Sequence, residues 1–280
     1  MEYTKFLPEG LSEQEKELLK SALFMAKNAG DIQLKYFRKS ELSEKTKLND
    51  SDVVTIADRE CEAFIIDYIH NHFPEHGILS EESGIENEKR EWRWVIDPLD
   101  GTTNYANGLP VFCVSIALEY KHDPRVGVVY APFLNEWFYA IRDKGAWHNG
   151  EKTRCSEKDT LSKAVLATGV PYDRKENADN NLKEISRVVM YVRGIRRMGS
   201  AAMDLCYTAA GYFDAYWELN LNRWDVAAGE LIAKESGVVI DSIRKNRNIS
   251  ILASNPFLFP FIKDILNEAD NIMKINFRMK

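Results

Sequence analysis

The sequence predicts a mixed fold in which an α+β part precedes an α/β part. Two helical patterns and a run of short apolar strands occupy the first half, whereas strands alternate with helices in the second half. The polar stretch at residues 151–159 separates these two patterns. We therefore expect an N-terminal part at residues 1–155 and a C-terminal part at residues 156–280.

Composition indicates a globular protein without a nucleic-acid or membrane partner. The chain has 280 residues, 45% of them apolar, and a formal net charge of -6. A general nucleic-acid binder would usually show a basic face. No apolar run approaches the ~20 residues that span a bilayer, and the first ten residues lack a signal-peptide core, which predicts a cytoplasmic protein. Scattered cysteines without C-x-x-C or Cys/His pairing predict reduced thiols: Cys61, Cys113, Cys155 and Cys206.

Two amphipathic helices begin the chain. The first is predicted over residues 11–37, where Ser12 and Glu15 have the spacing of a capping box. The charged segment at residues 38–52 is expected to be an exposed loop, in which Lys47 is by default a solvated lysine.

The second helix is expected to begin at Thr55 and to end near His72. Asp58 falls in its first turn, where a carboxylate interacts favourably with the helix dipole. That interaction alone is enough to explain an aspartate at this position.

The next two strands are each followed by a carboxylate. A short apolar run at residues 78–79 precedes Glu81, and a second run at residues 92–96 precedes Asp97. Two successive strands of one sheet would bring these carboxylates to the same edge. This coincidence favours a metal site over two unrelated polar loops.

The residues after the second strand are expected to form a bent loop. Pro98 fixes its own φ and disfavours helix at Asp97, so Asp97 and Asp100 would extend from a bend. Carboxylates and a backbone carbonyl are the ligands that hard divalent cations prefer. Gly101 allows close approach to a ligand, and the amides that follow it would begin a helix whose N-terminus attracts an anion. The same residues also match a common tight turn, and the loop alone does not decide between turn and metal site.

The remaining strands divide between the two parts. An antiparallel meander is predicted at residues 111–120, 126–130 and 136–141, with turns at residues 122–124 and 132–135, and residues 145–150 close it. In the second half we expect strands at residues 164–168, 194–197, 213–218, 238–240 and 250–253. Helices are expected at residues 181–191, 200–210 and 225–236, and a last helix follows Asn255-Pro256.

Two segments of the second half suit ligand binding as well as ordinary structure. Gly199, Ser200 and Ala201 begin a helix of small residues, which offers amides to an anion but equally suits close helix packing. Asp225 begins an Ala- and Gly-rich helix, where an N-cap role is the ordinary explanation.

Taken together, these segments resemble the inositol monophosphatase family, within a superfamily of metal-dependent, lithium-sensitive phosphatases that includes fructose-1,6-bisphosphatase. The resemblance extends over about residues 22–253. It implies a five-layered αβαβα sandwich, an active site between the two parts, a homodimer, and two or three Mg²⁺ ions. Its motifs are Glu81-Glu82-Ser83, Asp97-Pro98-Leu99-Asp100-Gly101-Thr102-Thr103-Asn104, and Trp224-Asp225-Val226-Ala227-Ala228-Gly229.

The resemblance also implies a role for each matching residue. The magnesium ligands would be the carboxylates of Glu81, Asp97, Asp100 and Asp225 and the carbonyl of Leu99. The catalytic residues would be Asp100 and Thr102, the latter paired with Asp58 or Glu81 to orient and deprotonate the attacking water. Phosphate and substrate contacts would come from Gly101, Thr102, Gly199, Ser200, Ala201, Glu218 and Asp225. Lys47 would be a mobile-loop lysine near the metal site.

These roles imply a magnesium-dependent phosphate monoester hydrolase in which a metal-activated water attacks phosphorus directly. Inositol-1-phosphate ranks first as substrate. The basic cluster of Arg193, Arg196 and Arg197 also suits a second phosphate, so fructose-1,6-bisphosphate ranks second. Histidinol phosphate and a 3'-phosphoadenosine nucleotide rank lower. A catalytically silent regulatory protein on the same fold is the alternative from another class, and the complete set of predicted ligands disfavours it.

Overall fold

The computed structural model describes residues 3–38, 45–46, 53–54 and 56–267. Its α-helices are α1 (Glu13–Tyr36), α2 (Ile56–His72), α3 (Thr102–Ala106), α4 (Leu182–Val188), α5 (Ala201–Ala209), α6 (Arg223–Glu235) and α7 (Phe259–Asn267). Its first ten strands are β1 (Lys45–Thr46), β2 (Val53–Val54), β3 (Gly77–Ser80), β4 (Gly84–Glu86), β5 (Trp92–Asp100), β6 (Cys113–Tyr120), β7 (Asp123–Ala131), β8 (Glu136–Ile141), β9 (Gly145–His148) and β10 (Glu151–Lys152). The last five are β11 (Val165–Thr168), β12 (Gly194–Arg196), β13 (Ala215–Leu221), β14 (Val239–Ser242) and β15 (Ile249–Ser254).

The predicted start of the first helix is confirmed. The Ser12 side chain accepts the Glu15 amide at 3.2 Å, and the Glu15 carboxylate accepts the Ser12 amide at 2.7 Å. These are the two reciprocal bonds of a capping box. Lys47 and Thr55 lie outside the described residues. All four cysteines are free thiols, as predicted.

Strands β3 to β10 form one eight-stranded sheet in the order β10-β9-β8-β7-β6-β5-β3-β4. The antiparallel meander is confirmed in β6, β7 and β8. Strands β9 and β10 extend it, where the sequence predicted a closing segment. The turn between β6 and β7 is also shorter than predicted, because Lys121 and His122 both adopt positive φ and close a two-residue hairpin. Pro124 therefore lies within β7, opposite Glu119 beside a register shift.

Strand β5 bends without ending at its proline. The sequence predicted a strand that stops at residue 96, but β5 continues to Asp100. Between Asp97 and Asp100 the strand advances three residues, whereas its partner β6 advances only two, from Ser115 to Cys113. The extra residue is left unpaired, as in a β-bulge. The expected bend is therefore a bulge inside the strand.

The second sheet has five strands in the order β12-β11-β13-β15-β14. Strand β11 runs parallel to β12 and to β13, whereas β15 is antiparallel to β13 and β14. The segment that connects the two sheets is held by buried Asp214, whose carboxylate accepts the Ser156 hydroxyl at 2.6 Å and the Lys158 ammonium at 2.9 Å. The division at residues 155 and 156 stays a prediction.

The two sheets share the layer formed by α5 and α6. One hydrophobic cluster contains residues of this layer together with Val129 and Phe138 of the first sheet and Tyr216 and Ala253 of the second. Helices α1 and α2 pack on the other face of the first sheet, and α7 packs on the other face of the second. The predicted αβαβα arrangement is thus confirmed. Among the described residues, no helix combines the length and apolar character needed to cross a membrane.

A buried ion-pair network links α6 to the first sheet. The Glu119 side chain of β6 is fully buried, and its two oxygens accept Arg93 of β5 and Arg223 of α6, each at 2.6 Å. Arg223 also pairs with Glu230 of α6 at 2.7 Å. The network fixes α6, the helix that carries Asp225, against β5 and β6.

We expect Glu119→Ala to lower the free energy of unfolding by about 3–5 kcal/mol, because it leaves two largely buried guanidinium groups without their carboxylate. Urea denaturation measures the loss. Glu91→Ala is the matched control, since Glu91 pairs with Lys121 at an exposed site and should have little effect. Equal losses in the two variants would contradict a structural role for the network.

Candidate active site

Parallel pairing of β3 and β5 places two predicted carboxylates side by side. Ser80 is in register with Ile96, so Glu81 and Asp97 are the next residues on neighbouring strands. Burial raises the pKa of Asp97 well above its usual range, and the negative charge of Glu81 raises it further. The two carboxylates therefore interact electrostatically at the same level of the sheet.

Asp100 is held by the N-terminus of α5. Its Oδ2 accepts the Ser200 hydroxyl at 2.7 Å and the Ala202 amide at 2.8 Å. Ser200 also caps the helix, because its hydroxyl oxygen accepts the Met203 amide at 3.3 Å. Burial raises the pKa of Asp100, and the bonds from α5 oppose this effect. Ser200, predicted as a substrate contact, thus has a defined role in orienting Asp100.

Two glycines bring the starts of α3 and α5 together. Gly101 has a φ of 91°, and a Cβ there would lie 2.8 Å from the Val111 carbonyl oxygen and 3.4 Å from the Gly199 carbonyl oxygen. Gly199 has a φ of 87°, and its Cβ would lie 2.9 Å from Asn104 Nδ2. The same Nδ2 donates to the carbonyls of Val111 and Met198, each at 2.7 Å. Only glycine permits both the backbone conformation and this close approach.

Asp225 reaches the pocket from the first turn of α6. The sequence suggested an N-cap role, but the N-cap is Asn222, because the helix begins at Arg223, two residues earlier than expected. Asp225 is the N3 residue of a capping box, and its Oδ2 accepts the Asn222 amide at 2.6 Å. Burial raises its pKa well above the usual range, and the charges of Glu81 and Asp100 add to the effect.

Glu218 faces the same pocket from β13. Tyr216 donates its hydroxyl to Glu218 Oε2 at 2.8 Å. Burial raises the pKa of Glu218 to about 7, although the positive charge of Arg197 and the Tyr216 bond act in the opposite direction. Near neutral pH, this carboxyl group can therefore either donate or accept a hydrogen bond.

The residues described above line one pocket of about 740 Å³. Among the predicted residues, those that line it are Glu81, Asp97, Leu99, Asp100, Gly101, Thr102, Gly199, Ser200, Ala201, Glu218 and Asp225. Asp58 is not among the lining residues; it is fully buried in the first turn of α2, and its charge contributes to the raised pKa of Asp97. Of the predicted arginine cluster, Arg197 lines the pocket, whereas Arg193 and Arg196 do not.

The donor set of the pocket suits hard divalent cations. Four carboxylates and the Leu99 carbonyl supply only oxygen, and buried negative charges of this number require neutralisation. The Leu99 carbonyl accepts the Thr102 hydroxyl at 3.1 Å and keeps a second lone pair. Among the described residues, however, no three Asp, Glu, His or Cys side chains stand in an arrangement that could hold an ion. The carboxylates thus share a pocket without forming a closed coordination shell, and the ligand assignment stays a prediction.

Sequence reasoning missed Asp204, a fully buried carboxylate of α5. Neither of its oxygens has a hydrogen-bond partner among the described residues. Burial raises its pKa well above the usual range, and the charges of Glu218 and Asp100 raise it further. Its spacing was the available signal, because a residue four positions after Ser200 lies on the same face of the helix.

Raised carboxyl pKa values make the metal-free protein less stable at high pH. Between the unfolded pKa of about 4 and the higher folded values, the folded state binds more protons, so its free energy of unfolding falls as pH rises. We expect a higher melting temperature at pH 5.5 than at pH 8 without metal. Magnesium should raise the melting temperature more at pH 8 than at pH 5.5. At pH 8 more of the carboxyl groups have lost their protons, and cations neutralise them instead.

Asp97→Asn tests whether the Asp97 carboxyl group contributes to this loss of stability at high pH. The variant should be more stable than wild type at pH 8 without metal and should gain less from magnesium. Glu88→Gln, at an exposed site, is the matched control and should follow wild type. An Asp97→Asn variant with the pH dependence of wild type would contradict the electrostatic account.

Comparison with known proteins agrees with the fold. Residues 14–268 match the family model described as the inositol monophosphatase family. Nus factor SuhB from Vibrio cholerae is 41% identical over 85% of this chain and 91% of the relative. A more distant solved structure, an IMPase/NADP phosphatase described as complexed with NADP and Ca²⁺, is 23% identical with a TM-score of 0.81, a level that shows the shared fold.

Two solved structures are more similar to this chain. Inositol monophosphatase from Anabaena is 38% identical with a TM-score of 0.82, and the match covers 90% of this chain and 96% of that structure. Extragenic suppressor protein suhB from Bartonella henselae is 35% identical with a TM-score of 0.84, over 90% of this chain and 99% of that structure. The resemblance of the three sequence motifs is thus confirmed, and this chain belongs to the inositol monophosphatase family.

Proposed function

We propose that this chain is a magnesium-dependent phosphate monoester hydrolase, with inositol-1-phosphate as its foremost substrate. One observation carries the proposal: Glu81 directly after β3, Asp97 and Asp100 of β5 and Asp225 of α6 contribute four carboxylates to a single pocket beside the start of α3, which follows Gly101. Membership of the family supports it. A cytoplasmic, lithium-sensitive homodimer with two or three bound ions stays a prediction.

Individual groups of the pocket would have specific roles in this reaction. Bound magnesium would neutralise the carboxylates and lower the pKa of a water to near neutrality. The amides of Gly101 and Thr102 would bind the phosphate, and Thr102 with Glu81 would orient the attacking water and accept its proton. Glu218 would accept a hydrogen bond from a hydroxyl group of the substrate.

Asp58 takes a smaller part in this proposal. It does not line the pocket, so we assign it an electrostatic role behind Asp97 in place of direct contact with the attacking water. Glu81 remains the partner of Thr102, because both residues line the pocket.

The second-ranked substrate is fructose-1,6-bisphosphate. Two arginines line the pocket, Arg197 and Arg174, and guanidinium groups suit recognition of a second phosphate. Histidinol phosphate and a 3'-phosphoadenosine nucleotide rank below it. The nucleotide stays among the candidates because the distant neighbour is itself described as complexed with NADP.

A regulatory function is the alternative from another class. Several relatives that are 38% to 41% identical to this chain carry the name Nus factor SuhB, which describes a factor and no reaction. The expectation that this chain has no nucleic-acid partner therefore stays a prediction. The complete set of carboxylates in the pocket supports the enzyme, because a silent protein would have no need for such costly buried charges.

We expect Asp100→Asn to reduce magnesium-dependent phosphate release from inositol-1-phosphate by a factor on the order of 100 or more, because it removes a charge that faces the metals. Release is measured in the presence of magnesium and after chelation with EDTA. Glu88→Gln is the matched control for loss of a carboxylate and should retain full activity.

The same assay, run on the four candidate substrates, orders them by kcat/KM. Full activity of Asp100→Asn would contradict the proposed metal role. A folded wild-type protein without magnesium-dependent phosphatase activity on every substrate would instead favour the regulatory function.

A further inference from the structure

The Glu218 carboxylate packs against the backbone of Gly169. A Cβ added to Gly169 would lie 1.9 Å from Glu218 Oε1 and 2.0 Å from both Cδ and Oε2. The φ of Gly169 lies outside the left-handed region, so its backbone conformation is open to other residues. Glycine is required here because the Glu218 carboxylate occupies the space in which a Cβ would lie.

Gly169 and Glu218 occupy equivalent places on two paired strands. Thr168 of β11 is in parallel register with Trp217 of β13, so Gly169 and Glu218 are the next residues after one matched pair. Thr168 also donates its hydroxyl to the Trp217 carbonyl at 2.7 Å. The middle of β13, which carries Glu218, is thus fixed to the end of β11, which Gly169 follows.

Asn181 joins these two segments through its buried side chain. Its Nδ2 donates to the Gly169 carbonyl at 2.5 Å and to the Thr168 hydroxyl oxygen at 2.8 Å. Its Oδ1 accepts the Trp217 indole N–H at 2.6 Å. The side chain is fully buried, and these three hydrogen bonds satisfy both N–H groups and the oxygen of its amide inside the protein.

We infer that Gly169 and Asn181 are positioning residues for Glu218, an inference that rests on the proposed contact between Glu218 and a substrate hydroxyl. Gly169 provides the space into which the carboxylate withdraws, and Asn181 connects the Gly169 carbonyl to the side chain of Trp217, the residue before Glu218. Tyr216 holds Glu218 Oε2 from within β13. Together they set how far the carboxylate extends into the pocket, and so which hydroxyl arrangement the pocket accepts.

A double-mutant cycle of Gly169→Ala and Glu218→Ala tests this inference. The added methyl group must displace the carboxylate, so Gly169→Ala should raise KM for inositol-1-phosphate about tenfold with little change in kcat, the loss of one hydrogen bond to a charged group. In the Glu218→Ala background, the same substitution should change KM less than about twofold, because there is no carboxylate to displace.

p-Nitrophenyl phosphate, which lacks substrate hydroxyls, is the control substrate. Gly169→Ala should leave its KM unchanged, whereas a general disturbance of the pocket would raise KM for both substrates. Asn181→Asp keeps the shape of the side chain but loses its two N–H donors, and it should raise KM for inositol-1-phosphate selectively. Equal effects of Gly169→Ala in the two backgrounds, or on the two substrates, would overturn the inference.

Thermal unfolding distinguishes failure of the inference from failure of the proposed function. Gly169→Ala should lower the melting temperature of the wild-type protein but not that of Glu218→Ala, whether or not phosphate is released. If wild type releases no phosphate while this coupling is present, the proposed function fails and the positioning contact stands. If phosphate is released but the coupling is absent, the positioning inference fails alone.

Discussion

Repulsion among buried carboxylates is the constraint on which the rest of this structure depends. Burial raises the pKa values of Asp97, Asp100 and Asp225 above their usual range, and neighbouring negative charges raise those of Asp97 and Asp225 further. The folded state therefore disfavours the ionised form of these carboxyl groups. The contacts that hold them in place must compensate for this cost in free energy. Cations would remove the conflict, which connects the stability of the fold directly to the proposed chemistry.

The fold holds the carboxylates through contacts that cross the molecule. The bulge in β5 presents Asp97 and Asp100, the N-terminus of α5 binds Asp100, and the capping box of α6 orients Asp225. Helices α5 and α6 pack against both sheets, and buried Glu119 fixes α6 to the first sheet. A shift of either sheet relative to this layer would therefore separate the carboxylates.

Local periodicity predicted most of the helices and strands, whereas the layers and most of the pocket residues were predicted by the resemblance of three short motifs to a known family. Glu81 and Asp97 were foreseen as neighbours, and parallel pairing of β3 and β5 explains why. Strand β4 was missed because its three residues carry little pattern, and the bulge was missed because a proline usually ends a strand. Asn181 was missed because its hydrogen bonds reach residues distant in the chain, such as Trp217, which no local pattern records. Asp204 was missed although its spacing from Ser200 was a local signal, because only the structure shows that its carboxylate is fully buried.

The central claim is that the carboxylates of Glu81, Asp97, Asp100 and Asp225 together bind the magnesium ions in one pocket. The most direct test is a crystal structure grown with Mn²⁺ and inorganic phosphate, in which anomalous scattering locates the metal. The account predicts at least two ions ligated by Glu81, Asp97, Asp100 and Asp225, with phosphate beside Gly101. Manganese bound elsewhere, or absent from a pocket with intact side chains, would contradict it.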